Sequence, residues 1–207
     1  MSMLSNVMRR LKYGRPVVVV SGLPRSGTSM AMKMLEAGGL EVVTDKVRTP
    51  DEDNPKGYYE DERVKDLAEM DDKEWLRDAR GKVIKIVSLL LQYLPATNHY
   101  KVVFMRRHLQ EVLASQAKML ERRDETSETA DDEMLQMYEG HLDKIQFQLR
   151  FRDYFDVLYV NFRDALEDPV REAKRINQFL GGGLDEEKMV EVVDPELYRN
   201  RIAELGK

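Results

Sequence analysis

The sequence predicts an α/β fold, a three-layer sandwich with helices on both faces of a central parallel β-sheet. Short runs of β-branched and apolar residues alternate with longer segments of helical spacing, and no segment repeats another. The run PVVVV at 16–20 is continuously apolar, which is typical of a strand buried on both faces. Since strands alternate with helices, crossover connections and a parallel sheet are expected. The length of 207 residues and the absence of an obvious linker predict one domain over 1–207.

Four strands and several helices follow from the same patterns. Strands are predicted at 16–20, 82–87, 101–105 and 157–160. Apolar residues at helical spacing predict helices over 30–37, 62–76, 109–120, 134–152 and 166–180. Gly38 and the glycines at 181–183 are expected to end two of these helices, and Pro169 fits a first helical turn.

The composition excludes several classes of protein. Lys plus Arg is 33 against 38 for Asp plus Glu, and the net charge of −5 gives no basic footprint for nucleic acid. The mean hydropathy is −0.55, and no apolar run approaches the roughly 18 residues of a membrane span. The chain has no cysteine, and its three histidines are not at ligand spacing, so no metal is expected. We therefore expect a cytoplasmic protein with neither a nucleic acid nor a membrane as partner.

The most informative segment is the glycine loop VVVVSGLPRSGTSM. Gly22 and Gly27 bracket four residues, and Thr28 and Ser29 follow them. The backbone N–H groups of such a loop, together with the start of the next helix, bind phosphate or sulfate. The ATP-binding version of the loop has Lys where this chain has Thr28. Because Arg25 adds a bidentate cation, the loop suits a phosphosulfate better than a triphosphate with Mg²⁺.

A second segment, KVVFMRRHLQEVLASQ, follows the third predicted strand. Arg107 comes at the end of this strand and Ser115 lies on the helix behind it. Open α/β sheets bind ligands beyond the carboxyl ends of their strands, so Arg107 is expected to meet a ligand there. Arg106 is the neighbouring alternative.

Together these two segments resemble those of the sulfotransferase family. GLPRSGTSM looks like the family's 5′-phosphosulfate loop, and its Arg form resembles the tyrosylprotein branch and many bacterial members. A strand-terminal Arg with Ser eight residues later, as in Arg107 and Ser115, is similar to the pair that binds the donor 3′-phosphate. The resemblance implies a P-loop nucleoside-triphosphate-hydrolase-like fold. It also implies 3′-phosphoadenosine 5′-phosphosulfate (PAPS) as co-substrate.

The resemblance implies a set of donor-binding residues. They are Arg25, Ser26, Gly27, Thr28, Ser29, Arg107, Ser115 and, in the basic C-terminal segment, Arg201 with Arg199 beside it. The segment 157–181 is similar to the family's late strand and helix. Phe162 stands there in place of a Tyr or similar aromatic residue, so a hydroxyl contact to the nucleotide is expected to be lost.

Catalytic roles are also implied by the resemblance. Sulfonyl transfer depends on positioning and on charge stabilisation, so Arg25 is expected to stabilise charge on the departing phosphate. Lys85 ends the predicted strand VIK and is similar to a family Lys that reaches the sulfonyl group. Cytosolic members carry a catalytic His two residues after this Lys, whereas this chain has Val87.

A general base, if the reaction uses one, must therefore come from elsewhere. The run NPKGYYEDE resembles segments of carbohydrate and bacterial sulfotransferases that carry a catalytic Glu, which predicts Glu60 as the base. Asp61 is the second candidate, and a role of Glu60 in starting a helix stays open. His99 precedes a strand and His108 lies beside Arg107, so both are poor substitutes.

The sequence thus predicts a sulfotransferase that moves a sulfonyl group from PAPS to a hydroxyl or amine. The acceptor is expected to be a small molecule or a carbohydrate. A non-catalytic nucleotide-binding protein on the same fold is one alternative, favoured by the replaced His. A P-loop kinase is the other, and the missing loop Lys argues against it. The helix predicted over 134–152 carries no motif, and we interpret its apolar stripe as core.

Overall fold

The computed structural model describes residues 3–45, 59–122 and 130–194, and it confirms the α/β fold with a central parallel sheet. The strands of these ranges are β1 (Val17–Gly22), β2 (Val42–Val43), β3 (Val83–Lys85), β4 (Tyr100–Arg106) and β5 (Phe155–Asn161). All are parallel and lie in the order β2-β3-β1-β4-β5. The chain leaves β1 towards β2 on one side and leaves β4 towards β5 on the other. The carboxyl ends of β1 and β4 therefore form the switch point at which such sheets bind ligands.

Helices cover both faces of the sheet. The described ranges contain α1 (Met3–Tyr13), α2 (Thr28–Ala37), α3 (Glu62–Lys65), α4 (Leu109–Arg122), α5 (Asp131–Phe151), α6 (Phe162–Glu167), α7 (Pro169–Leu180) and α8 (Glu186–Glu191). Three 3₁₀ segments lie at Asp66–Ala68, Glu74–Arg77 and Ser88–Tyr93. Among the helices of these ranges, none has the length and apolar content that crossing a membrane requires.

The continuous apolar run of β1 has a packing reason. Val18 and Val20 pack on one face with side chains of α2, α7 and α8, whereas Val17 and Val19 pack on the other with the 3₁₀ segments and α5. Each of these valines is at most 5% exposed. A strand that is buried on both faces needs apolar side chains at every position.

Two predicted helices differ from the structure. The segment 62–76 is not one helix, because α3 passes into short 3₁₀ turns and Asp72 accepts a hydrogen bond from the backbone N–H of Glu74 at 2.8 Å. Such an aspartate turn competes with helix formation. The segment 166–180 divides between α6 and α7, because Pro169 disfavours a helical conformation for Asp168 before it. The Asp168 side chain then caps α7 by accepting from the Arg171 N–H. The patterns also missed α1, β2 and α8.

Candidate active site

The loop between β1 and α2 turns sharply beyond the carboxyl end of β1. Its φ angles are positive at Gly22 (147°), Arg25 (68°) and Gly27 (97°). Ser26 holds the turn, since its backbone N–H and its hydroxyl both donate to the Leu23 carbonyl, at 3.2 and 2.7 Å. A non-glycine residue rarely adopts positive φ, so Arg25 is fixed in an unusual conformation.

Two glycines of this loop lie where a side chain has no room. A Cβ atom at Gly22 would come within 2.5 Å of the Ser26 Oγ and 2.6 Å of the Met105 carbonyl oxygen. A Cβ atom at Gly27 would come within 2.4 Å of the Phe162 ring. The loop therefore packs against β4 and α6 through bare backbone, which explains its glycines.

Three of the predicted donor-binding residues meet at this loop. The Arg25 Nε donates to the Ser115 Oγ at 3.0 Å, and the Arg107 Nη1 donates to the Arg25 carbonyl at 3.2 Å. These residues come from the loop, from α4 and from the end of β4. The structure thus brings together Arg25, Ser115 and Arg107, which are up to 90 residues apart in the chain.

Arg107 is held on several sides. Its Nε donates to the Glu111 carboxylate at 3.0 Å, and the two side chains are 7% and 3% exposed. Its guanidinium lies 4.7 Å from the centre of the Phe162 ring. A cation fixed by a carboxylate and an aromatic face presents its remaining N–H groups in one direction. The sequence indicated only the missing hydroxyl of Phe162, and the support that its ring gives to Gly27 and Arg107 is seen in the fold alone.

Arg106 points elsewhere. Its Nη2 donates to the Gln146 side chain on α5 at 2.8 Å, and its guanidinium lies 3.8 Å from the Tyr159 ring centre. Arg107, and not Arg106, is therefore the arginine that contacts the glycine loop.

The other loop residues lie at the start of α2. Thr28 is its first residue and is buried, as is Ser26 before it. Gly27 occupies the N-cap position without a side-chain cap, so the first N–H groups of α2 are not capped by that residue. Ser29 follows in the first turn. A helix start of this kind attracts anions.

Lys85 and Glu60 form a second pair at the same edge of the sheet. Lys85 ends β3 opposite Val20 of β1, and its Nζ lies 3.5 Å from the Glu60 Oε1. The Lys85 side chain is 9% exposed and that of Glu60 is 26% exposed. Glu60 does not cap the following helix, because Asp61 occupies the N-cap position and accepts from the Arg63 N–H. The proposed role of Glu60 as a general base stays a prediction.

Asp61 is already occupied by other contacts. Its two carboxylate oxygens accept from the Arg63 side chain at 2.9 and 2.7 Å, and it is 3% exposed. His99 contacts Asp156 at 3.0 Å near the amino end of the sheet, away from the loop, and His108 is exposed. Arg199 and Arg201 lie outside the described residues.

One pair near the site was missed by the sequence analysis. The Nε2 of His141 on α5 lies 2.9 Å from the Oγ of Ser88, which is completely buried. Burial lowers the pKa of His141, and the neighbouring charge of Lys144 lowers it further. The two residues are 53 positions apart, so no local pattern relates them. The sequence offers a single indication of this pair, which is that Ser88 directly follows Val87, the residue in the place of the family His.

The loop, the parallel sheet and the cationic groups at its carboxyl edge are those of an α/β protein of the P-loop type. The chain belongs to the sulfotransferase family, because the family model described as the sulfotransferase domain matches residues 15–198. No curated protein sequence matches the chain.

Solved sulfotransferase-type structures have a similar fold. The mouse sulfotransferase SULT7A1 complexed with PAP has a TM-score of 0.52 and 18% identity, covering 93% of this chain and 68% of that one. Retinol dehydratase in complex with androsterone and the inactive cofactor PAP has a TM-score of 0.50 and 18% identity, covering 92% of this chain and 66% of that one. This chain therefore spans about two thirds of their length.

Proposed function

We propose that the protein binds PAPS at the glycine loop and transfers its sulfonyl group to a hydroxyl or amine of a small molecule or carbohydrate. The observation that carries this proposal is the contact of Arg25 with Ser115 and of Arg107 with the loop. Residues predicted to bind the two ends of one donor lie in a single connected cluster. Membership of the sulfotransferase family supports the same donor.

Each part of the cluster has a role in this proposal. The loop backbone, Thr28 and Ser29 bind the 5′-phosphosulfate, because a helix start and consecutive N–H groups favour an anion. Arg107 and Ser115 bind the 3′-phosphate, since a guanidinium suits a phosphate bidentately. The donor supplies an activated sulfonyl group. Arg201 is proposed as a further 3′-phosphate contact.

The transfer needs charge stabilisation at the departing phosphate. The acceptor oxygen or nitrogen forms a bond to sulfur while the bond from sulfur to the bridging oxygen breaks. Arg25 and Lys85 are the cations we assign to this developing negative charge. Because Glu60 pairs with Lys85, it restricts the Lys85 ammonium to one region of the site.

The two alternatives make different predictions. A kinase would need a cation in place of Thr28, the position at which the ATP-binding loop carries its Lys. A non-catalytic nucleotide-binding protein would not need Lys85 nearly buried at the carboxyl end of β3. The present residues favour transfer over both.

Calorimetric titration with adenosine 3′,5′-bisphosphate (PAP) tests the donor site. We expect PAP to bind, ATP with Mg²⁺ to bind much more weakly, and Arg107→Ala to weaken PAP binding about 10- to 100-fold, the usual loss for hydrogen bonds to a charged group. Arg106→Ala is the matched control and should bind PAP as the wild type does.

A folding defect must be separated from a binding defect. Arg107→Ala leaves the Glu111 carboxylate buried without this partner, so thermal unfolding is measured alongside. Arg107→Lys keeps a cation beside Glu111 but loses the planar fork, and should also bind PAP less tightly. Absence of PAP binding to the wild type, or tighter binding of ATP with Mg²⁺, would overturn the proposed function.

A further inference from the structure

The segment that follows β3 contains Val87, which stands where the cytosolic members that this chain resembles carry a catalytic His. After Lys85, the Ile86 N–H still donates to the Val20 carbonyl at 3.0 Å, so the chain follows β1 one residue further. Val87 then has no ionisable group. Ser88, the next residue, begins a 3₁₀ segment and is completely buried at this carboxyl edge.

An imidazole comes to this point from another element. His141 of α5 lies with its Nε2 2.9 Å from the Ser88 Oγ. Its position is fixed by the helix, because Ile145 and Leu149 on the following turns are buried in the core with the 3₁₀ segment. The Arg106 Nη2, at the end of β4, donates to Gln146 of the same helix. The helix that carries the ring is therefore tied to the segment after β3 and to the carboxyl end of β4.

The surroundings keep the ring in its neutral form. Burial lowers the pKa of His141, and Lys144 on the next turn of α5 disfavours a second positive charge nearby. Ser88 faces the ring from the 3₁₀ segment, and Tyr138 on the preceding turn donates to Gln116 of α4. A neutral imidazole can accept a proton at neutral pH, which a general base requires.

Other candidate bases have competing partners. Glu60 is paired with Lys85, and Asp61 is bound on both oxygens by Arg63. His99 is paired with Asp156 at the amino ends of the strands, away from the glycine loop. Among the described ionisable residues at the carboxyl edge, His141 combines a neutral ring with a fixed orientation.

We propose that His141 is the general base of the transfer reaction, positioned by Ser88, and that Glu60 serves to orient Lys85. This inference rests on the proposed function. It also replaces the sequence-based prediction of Glu60 as the base.

In this proposal the proton of the acceptor passes to His141. If the Ser88 Oγ accepts a hydrogen bond from Nε2–H, Nδ1 carries the lone pair that takes the proton of the acceptor hydroxyl or amine. The electron pair left on the acceptor forms the bond to sulfur, and the electrons of the broken bond leave with the phosphate of PAP. His141 ends as the imidazolium and releases its proton to water.

Nuclear magnetic resonance of the three histidines tests the location without an acceptor. Histidine labelled with ¹³C at Cε1 is titrated with pH in the presence and absence of saturating PAP, and signals are assigned with His141→Gln and His99→Gln. A bound dianion near the ring should raise the pKa of His141 and leave that of His99 unchanged. If PAP binds by calorimetry and the titration of His141 does not move, the inference is wrong. If PAP does not bind, the proposed function itself fails.

Turnover of PAPS tests the chemical role. Two acceptor probes are used at pH 8. Phenol keeps its proton at this pH, whereas 4-nitrophenol is largely ionised. If neither probe is sulfonated, the release of sulfate by transfer to water is measured instead. We expect His141→Gln to lower turnover about 10²- to 10⁴-fold with phenol or water. The loss should be much smaller with 4-nitrophenol, and the KM for PAPS should stay unchanged. Glu139→Gln, an exposed change on the same helix, is the control.

The pH profile separates a base from a structural residue. In the wild type, kcat/KM for PAPS reports the groups of the free enzyme, and it should rise with pH as His141 loses its proton, with a midpoint below the ordinary His pKa of about 6.5. This rise of kcat/KM with pH should vanish in His141→Gln and persist in Glu60→Gln. In Ser88→Ala, which removes the partner of Nε2, the midpoint of the rise should shift. Loss of the rise in Glu60→Gln, or an equal loss with both phenols in His141→Gln, would overturn the inference.

Discussion

Gly27 joins the glycine loop to α2 and packs against the Phe162 ring of α6. It caps α2, its φ is 97°, and its missing side chain leaves the space that the Phe162 ring occupies. Phe162 in turn supports Arg107. A change at Gly27 therefore affects the loop and the predicted 3′-phosphate site together.

We predict that Gly27→Ala destabilises the protein and weakens PAP binding. The added methyl group overlaps the Phe162 ring, and overpacking typically costs about 1–3 kcal/mol beyond the cost of positive φ. Gly39→Ala is the control, because Gly39 has a similar φ of 101° with nothing within 4 Å of a Cβ atom. Chemical denaturation and calorimetry should show a larger loss of stability for Gly27→Ala and a loss of affinity in that variant alone. Equal losses in the two variants would contradict the packing argument.

A polar cluster joins α1 to the sheet. Arg9 on α1 and His99 before β4 both contact the Asp156 carboxylate on β5. Burial by itself would raise the pKa of Asp156, but the hydrogen bonds from His99 and Arg9 outweigh it and lower that pKa. The carboxylate thus contributes stability while it is ionised.

Asp156→Asn should therefore destabilise the protein in a pH-dependent way. The folded-state pKa lies below the ordinary 3.8, so the stabilisation is present above that value and is lost as the pH falls through the folded pKa. At pH 7 we expect a loss of about 1–3 kcal/mol, and a shrinking difference from the wild type below about pH 4. Thermal unfolding over pH 3 to 7 measures this. The exposed change Asp143→Asn on α5 should have little effect, and a pH-independent loss in Asp156→Asn would contradict the assignment.

The strand order of the sheet places the candidate site. β1 lies in the middle of the sheet and pairs along its length with β4, from Val17 opposite Tyr100 to Gly22 opposite Met105. Because the chain leaves these neighbours in opposite directions, the loops behind them open a crevice between them. The glycine loop and Arg107 flank this crevice.

Hydrogen exchange should reflect this organisation. We predict the slowest amide exchange in β1 and β4, which are paired on both sides, and the fastest strand exchange in the two-residue edge strand β2. Added PAP should slow exchange at 22–29 and 107–115 and leave β2 unchanged. Mass spectrometry of exchanged peptides provides the measurement, and protection by PAP elsewhere in the described ranges would place the donor outside the crevice.

The sequence predicts most of the elements and the loop that we propose as the donor site. Continuous apolar runs predict strands buried on both faces, and the order of glycines, Arg25 and hydroxyl residues predicts an anion loop, because both depend on neighbours along the chain. Arg107 and Ser115 were predicted from the resemblance of their spacing to the family's pair, and the structure brings both to the glycine loop. The prediction of one helix over 62–76 was wrong, because the Asp72 side chain competes with the helical backbone there.

Which distant groups meet depends on the tertiary packing. The Phe162 ring against Gly27, the Lys85 pair with Glu60, and His141 against Ser88 join residues on separate elements. Such contacts depend on how α5, α6 and β3 pack on the sheet, and helix periodicity gives only the face of a residue and not the partner that the face meets. For that reason the sequence indicates only that His141 belongs to a helix, whereas the fold places it beside Ser88 at the carboxyl edge of the sheet.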